Sequence, residues 1–164
     1  SGVAIALVAS YLIGVGVPLL VYSPDATGFA MMSTGCFLSL IFTSIAFWAS
    51  VKARDKARGI GFVLLVWFYF ALIYDGLILV ILFTFSDYPL EKLTLVLSAL
   101  NPIDLGRIFI MLKMDVSALM GYTGALYQDF FGSGTGMLYT TGVMLLWIAL
   151  PLLAAVRSFK KKDL

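Results

Sequence analysis

Ser50-Val51-Lys52-Ala53-Arg54-Asp55-Lys56-Ala57-Arg58-Gly59-Ile60-Gly61 places four basic residues between two long apolar runs. Basic residues in short loops stay on the cytoplasmic side of a bilayer, so this stretch orients everything attached to it. Lys52, Arg54, Lys56 and Arg58 therefore read as topology-setting residues of a cytoplasmic loop over 51–59, with a membrane helix leaving it in each direction. The composition agrees: 62% of residues are hydrophobic and 12% charged, with a mean hydropathy of +1.03, whereas soluble domains carry about 25% charged residues. The expectation is an all-α integral membrane protein, one transmembrane domain over 1–164, lying in the lipid bilayer with no nucleic-acid partner.

Upstream of the hinge, spans are expected over 28–50 and 2–21, each close to the roughly 20 residues that cross a hydrocarbon core. In the first, Gly2, Ala6, Ser10 and Gly14 recur at every fourth position, a spacing that predicts a close-packing helix face, with a path-lining face as the second reading. The turn over 22–28 holds Pro24 and Gly28 but no Lys or Arg, which suits the outer side. Because an apolar span begins at once after Ser1, with no charged leader, the chain reads as the C-terminal part of something longer.

Downstream, a third span over 60–85 contains Tyr74-Asp75-Gly76. At 1.5 Å per residue Asp75 lies about 22 Å along the helix from Ile60, which is membrane depth. An ionised Asp there costs about 2.5–3.5 kcal/mol on insertion scales, so it should not face lipid. Two readings stay open for it: a contact that locks helices or subunits, with a partner in this chain or beyond it, or a group lining a translocation path. Tyr69 and Tyr74 are its expected neighbours.

The segment 86–136 is apolar but broken by charges and turns. Asn101-Pro102-Ile103-Asp104 has an N-cap residue, a proline suited to the first helical position and an acid in the first turn, so two short helices should meet at Asn101. If this segment enters and leaves on the outer side, eight basic residues fall inside, namely the four of the hinge with Arg157, Lys160, Lys161 and Lys162. Three, Lys92, Arg107 and Lys113, fall outside. That sorting favours an external re-entrant or surface-lying helical pair over a fifth crossing. Gly121–Gly124 and Gly132–Gly136 mark turns, a last span follows over 137–156 with Pro151 near its end, and the basic tail over 157–164 is cytoplasmic.

What is missing excludes much. There is no His and a single Cys, Cys36, which removes His-based haem ligation, Ser-His and Cys-His nucleophiles, ordinary zinc sites and internal disulfides. Met31, Met32 and Cys36 make a weak soft-metal set, and no metal site is expected. The cluster Gly132-Ser133-Gly134-Thr135-Gly136 is followed by Met137 where a nucleotide-binding loop needs Lys, so any ATP is hydrolysed by another subunit. An intramembrane enzyme ranks last, since Asp75 has no second Asp at its depth if Asp104, Asp115 and Asp129 are external.

Arg54-Asp55-Lys56-Ala57-Arg58-Gly59 opening a span, Leu72-Ile73-Tyr74-Asp75 within it, Leu100-Asn101-Pro102-Ile103-Asp104 outside and Phe159-Lys160-Lys161-Lys162-Asp163-Leu164 at the end together resemble the C-terminal four-span portion of type-2 ABC export permeases. The similarity is greatest to the permease subunits of the transporter that matures nitrous oxide reductase. The resemblance implies a six-span permease in the cytoplasmic membrane, acting as a homodimer with cytoplasmic ABC ATPase subunits, which hold ATP-Mg, and a periplasmic accessory protein. It implies no cofactor in this chain and no chemistry of its own. Asp75, with Tyr74 and Tyr69, is then expected on the path or subunit contact, and Asn101, Pro102, Asp104 and Arg107 in an outer gate or partner platform. Export of a sulfur species for the copper-sulfide centre, or transmission of ATP-driven motion to the periplasmic partner, is the leading expectation. A permease for lipid, polysaccharide or drug, and a non-transporting assembly subunit, are the alternatives.

Overall fold

The computed structural model describes residues 2–85, 96–113 and 134–160, and all regular structure among them is helical. Helix α1 covers Gly2–Tyr22 and α2 covers Ala26–Lys52. Helix α3 runs through Lys56–Phe68, a π-helical turn Tyr69–Ile73 and Tyr74–Thr84. Helix α4 is Pro102–Lys113 and α5 is Gly134–Lys160. Stretches of α1, α2, α3 and α5 between 21 and 27 residues long are apolar enough to cross a membrane, and at 1.5 Å per residue the shortest reaches about 32 Å. The chain divides into two units, one of Ser1–Val66 with Met144–Leu164 and one of Trp67–Val143.

In the first unit the helix ends are set by capping rather than by hydrophobicity. Asp25 accepts a hydrogen bond from the Gly28 amide at 3.0 Å and starts α2, and Asp55 does the same for Arg58 at 2.8 Å at the start of α3. The helices thus extend beyond the apolar runs: α2 reaches Lys52 and α3 resumes at Lys56, leaving only 53–55 between them. Likewise α5 begins at Gly134, inside the glycine cluster expected to form a turn, and continues through Pro151. The glycines over 121–124 lie outside the described residues.

The fourfold small-residue stripe is not the face that α1 packs against α2. Gly2, Ala6, Ser10 and Gly14 are all exposed within this chain, and a Cβ at Gly2 or Gly14 would meet nothing within 4 Å. Contact is made instead by Tyr11, whose hydroxyl donates to the Met31 carbonyl at 3.1 Å and whose ring lies against Gly35 where a Cβ would stand. Gly16 completes it: a Cβ there would sit 3.3 Å from Met32 Cγ. Spacing says which residues share a face, whereas a large ring bonding across the interface decides which face is used. A π turn over Leu12–Gly16 precedes Pro18, whose missing N–H leaves the Gly14 carbonyl without its α-helical donor.

Helix α2 is polar for a membrane span, and several of its hydroxyls are satisfied locally, although the buried Thr34 Oγ1 has no partner among the described residues. Ser39, Thr43 and Ser44 donate to the carbonyls four residues earlier at 2.7, 2.6 and 2.8 Å, as groups shielded from water must. Its buried face is Ala30, Thr34, Ile41, Ile45 and Ala49, a helical period. The second unit has its own core, with Leu105, Ser98 and Asn101 fully buried and Ile108, Tyr74 and Ile78 nearly so.

Candidate functional site

The site is built on an irregularity in α3. Over Tyr69–Ile73 the helix widens by one residue, so the Tyr74 amide bonds to the Tyr69 carbonyl five residues back. This loosens the backbone ladder, and there the Phe70 carbonyl accepts a hydrogen bond from Asn101 Nδ2 at 2.8 Å. The same Asn101 side chain caps α4, its Oδ1 accepting from the Ile103 amide at 3.0 Å. One buried amide therefore spends its donor on α3 and its acceptor on α4. Pro102 supplies the first residue of α4 and has no N–H to leave unsatisfied. A second link comes from Tyr74, whose hydroxyl donates to the Leu97 carbonyl at 2.7 Å.

These links bring α4 alongside Asp75. Arg107 Nη1 lies 2.6 Å from Asp75 Oδ2 and 3.4 Å from Asp104 Oδ1. The i, i+3 spacing of Asp104 and Arg107 puts both on the α4 face turned to α3. The side chains are unevenly covered: Asp104 is 14% exposed, Asp75 32% and Arg107 42%. Asp75 Oδ1 is buried and without a hydrogen-bond partner among the described residues. On α4, outside the four spans, burial first and then the charge of Asp75 push the Asp104 carboxyl up to about 6, against the opposing pull of Arg107.

Asp75 has its partner within this chain, in keeping with the helix-locking reading left open for it. One expectation is corrected: Asp104, assigned to a separate external platform, is a second carboxyl beside Asp75. The two groups of residues form one cluster. The tyrosines play a different part from the one expected: Tyr74 turns its hydroxyl to Leu97, while Tyr69 sits in edge contacts, its ring 5.3 Å from Phe70 and 6.1 Å from Tyr74. Tyr74 and Asp75 are consecutive, and consecutive residues do not share a helix face. Asp115, Asp129 and Lys92 lie outside the described residues.

At the hinge, Arg58 pairs with Asp55 at 3.3 Å, both well exposed, and Lys52 Nζ sits 5.0 Å from the Trp48 ring centroid, which in turn meets Phe62 edge-on. Arg54 and Lys56 border a groove of about 520 Å³ between the end of α2 and the start of α3. No group of three or more His, Cys, Asp or Glu side chains suited to a metal occurs among the described residues. Met32 is engaged in packing on Gly16, and Cys36 is a free, partly buried thiol.

Four apolar helices and a charge cluster at span depth are features of a multi-pass membrane permease. Residues 1–164 match the family described as ABC-2 family transporter protein, and the chain belongs to it. Membership places it among the membrane-embedded sequences of ABC-2 transporters. Among curated proteins, Probable ABC transporter permease protein NosY of Pseudomonas aeruginosa is 31% identical over 90 residues, a stretch covering 55% of this chain and 33% of that protein. The chain thus matches about one third of the length of that relative.

Proposed function

We propose that this chain is part of the permease of an ABC transporter that supports assembly of the copper-sulfide centre of nitrous oxide reductase. The observation that carries the reading is the similarity to NosY, joined to the ordered motifs at the hinge, Asp75, Asn101 and the basic tail. In this reading the permease lies in the cytoplasmic membrane as a homodimer, its basic hinge and C-terminus cytoplasmic. ATPase subunits bind below it and a periplasmic accessory protein above. The permease halves move as packed bundles when the ATPases close on nucleotide.

The cluster suits a place on the path or at the subunit contact. Phe70 and Asp75 lie about 15 and 22 Å along α3 from Ile60, so Asn101 reaches near the middle of a roughly 30 Å hydrocarbon core. That depth favours a re-entrant segment over a surface-lying one. Ionised groups left 32% and 42% exposed by this chain are costly against lipid; water or a second permease copy covers them. Arg107 already faces two carboxylates, so an anionic sulfur cargo would find its binding groups elsewhere on the path.

The test is the copper and sulfide content of nitrous oxide reductase from cells with and without the gene for this chain. Enzyme lacking its copper-sulfide centre only in the deletion strain is the expected result. Fully loaded enzyme in both strains overturns the maturation role and leaves an export permease for lipid, polysaccharide or drug. Stimulation of the complex's ATPase by a candidate cargo would count against a non-transporting assembly subunit.

A further inference from the structure

We propose that Asp75 and Asp104 together hold one exchangeable proton beside Arg107, which makes this cluster a proton-binding site of the permease. Charge balance is the first reason. One guanidinium nitrogen contacts both carboxyl groups, at 2.6 and 3.4 Å, so two carboxylates share a single cation and one negative charge stays uncompensated. At span depth such a charge is expensive and is most simply removed by protonation.

The second reason is an orphan atom. Asp75 Oδ2 is taken by Arg107, whereas Asp75 Oδ1 is buried without a partner among the described residues, a state that costs about 1–3 kcal/mol when left unrelieved. The Asp104 carboxyl lies within hydrogen-bonding reach of Asp75. An O–H on Asp104 directed at Asp75 supplies the missing donor and cancels the extra charge in one step. The raised affinity of Asp104 for a proton points the same way.

The other titratable groups nearby do not replace it. Tyr74 donates to Leu97, Tyr69 is held in aromatic edge contacts, and Arg107 is the cation already counted. A bound metal ion is a poorer fit, because the guanidinium cation already contacts both carboxyls, and an anion would meet both of them. Arg107, 42% exposed, leaves the cluster open on one side for exchange of that proton. Asp75 belongs to α3 and Asp104 to α4, so a movement separating these helices breaks the shared bond and releases the proton. Transport-linked motion and proton uptake are thereby coupled.

Infrared difference spectroscopy tests this on the complete permease with its ATPase in lipid nanodiscs, with isotope-labelled aspartate carboxyls in the permease alone. The expected result is a protonated-carboxyl band that shifts in deuterated water, titrates near pH 6, disappears in Asp104→Asn and survives in Asp25→Asn and Asp55→Asn. Absence of any such band in the wild type overturns the proposal, as does its persistence unchanged in Asp104→Asn. If Asp104→Asn fails to assemble, Asp104→Glu must remove the labelled aspartate signal, and an unchanged signal overturns the proposal equally. None of these outcomes depends on what the transporter carries.

Discussion

Asp55 with Arg58 and Asp75 with Arg107 are the same chemical pair in two settings. The hinge pair is i, i+3 within one helix, 3.3 Å apart, with side chains 53% and 71% exposed. Water solvates both partners whether or not they meet, and such pairs contribute about 0–1 kcal/mol. The second pair joins residues 32 apart in sequence at 2.6 Å. It ties two helices together, with side chains 32% and 42% exposed, less open than the hinge pair. Identical residue types thus form an exposed pair within one helix in one place and join two helices in the other, and the surroundings decide which.

The largest expected difference is between Arg107→Met and Arg58→Met. Losing Arg107 leaves two carboxyls without a counter-charge and should cost about 3 kcal/mol, measured by denaturant unfolding in bicelles, whereas Arg58→Met should cost under about 1 kcal/mol. Equal costs would erase the distinction. Adding Asp75→Asn to Arg107→Met should return part of the loss, since the second change removes the stranded charge.

Next in size is Asn101→Ala, which removes both the cap of α4 and the donor to Phe70 and should cost about 2–3 kcal/mol. Asn101→Asp keeps the cap but sets a carboxylate against a carbonyl, so it should be no better than alanine; full recovery of stability by Asp would show that the link to Phe70 contributes nothing. A smaller effect comes from pH. Because Asp104 is raised from 3.8 to about 6 when folded, the folded chain binds more protons than the unfolded one between those values. Stability should fall as pH rises through that window and level off above it. Asp104→Asn should flatten that profile while Asp55→Asn leaves it intact. Tyr74→Phe, which gives up one bond to Leu97, should cost about 0.6–1 kcal/mol. Last comes Asp55→Asn, expected within about 0.5 kcal/mol because Asn caps a helix as well as Asp does.

The helices were legible where local rules govern. Apolar length gave the four spans, and Asn101-Pro102 announced the start of α4 by the chemistry of the first turn. Their ends were less legible, because Asp25 and Asp55 cap the helices beyond the apolar runs. The meeting of Asp75 with Arg107 was not legible at all from position, since nothing local links residues 32 apart. One signal pointed to it: an acid that cannot face lipid demands a cation, and Arg107 shares a helix face with Asp104. The face used by α1 failed for the opposite reason. A regular small-residue spacing looked decisive, while Tyr11 against Gly35 made the contact.

The π turn at Tyr69–Ile73 acts as a phase setting for α3. Each residue of an α-helix advances the side chains by about 100°, so the one extra residue fixes the direction in which all positions beyond it point, relative to those before. Winding the same residues as an ordinary α-helix, with none removed, would swing Asp75 by about 100°, roughly a quarter turn away from Arg107. A sequence can therefore keep its composition, its spans and both charged residues, and still lose the cluster through the winding of a single turn.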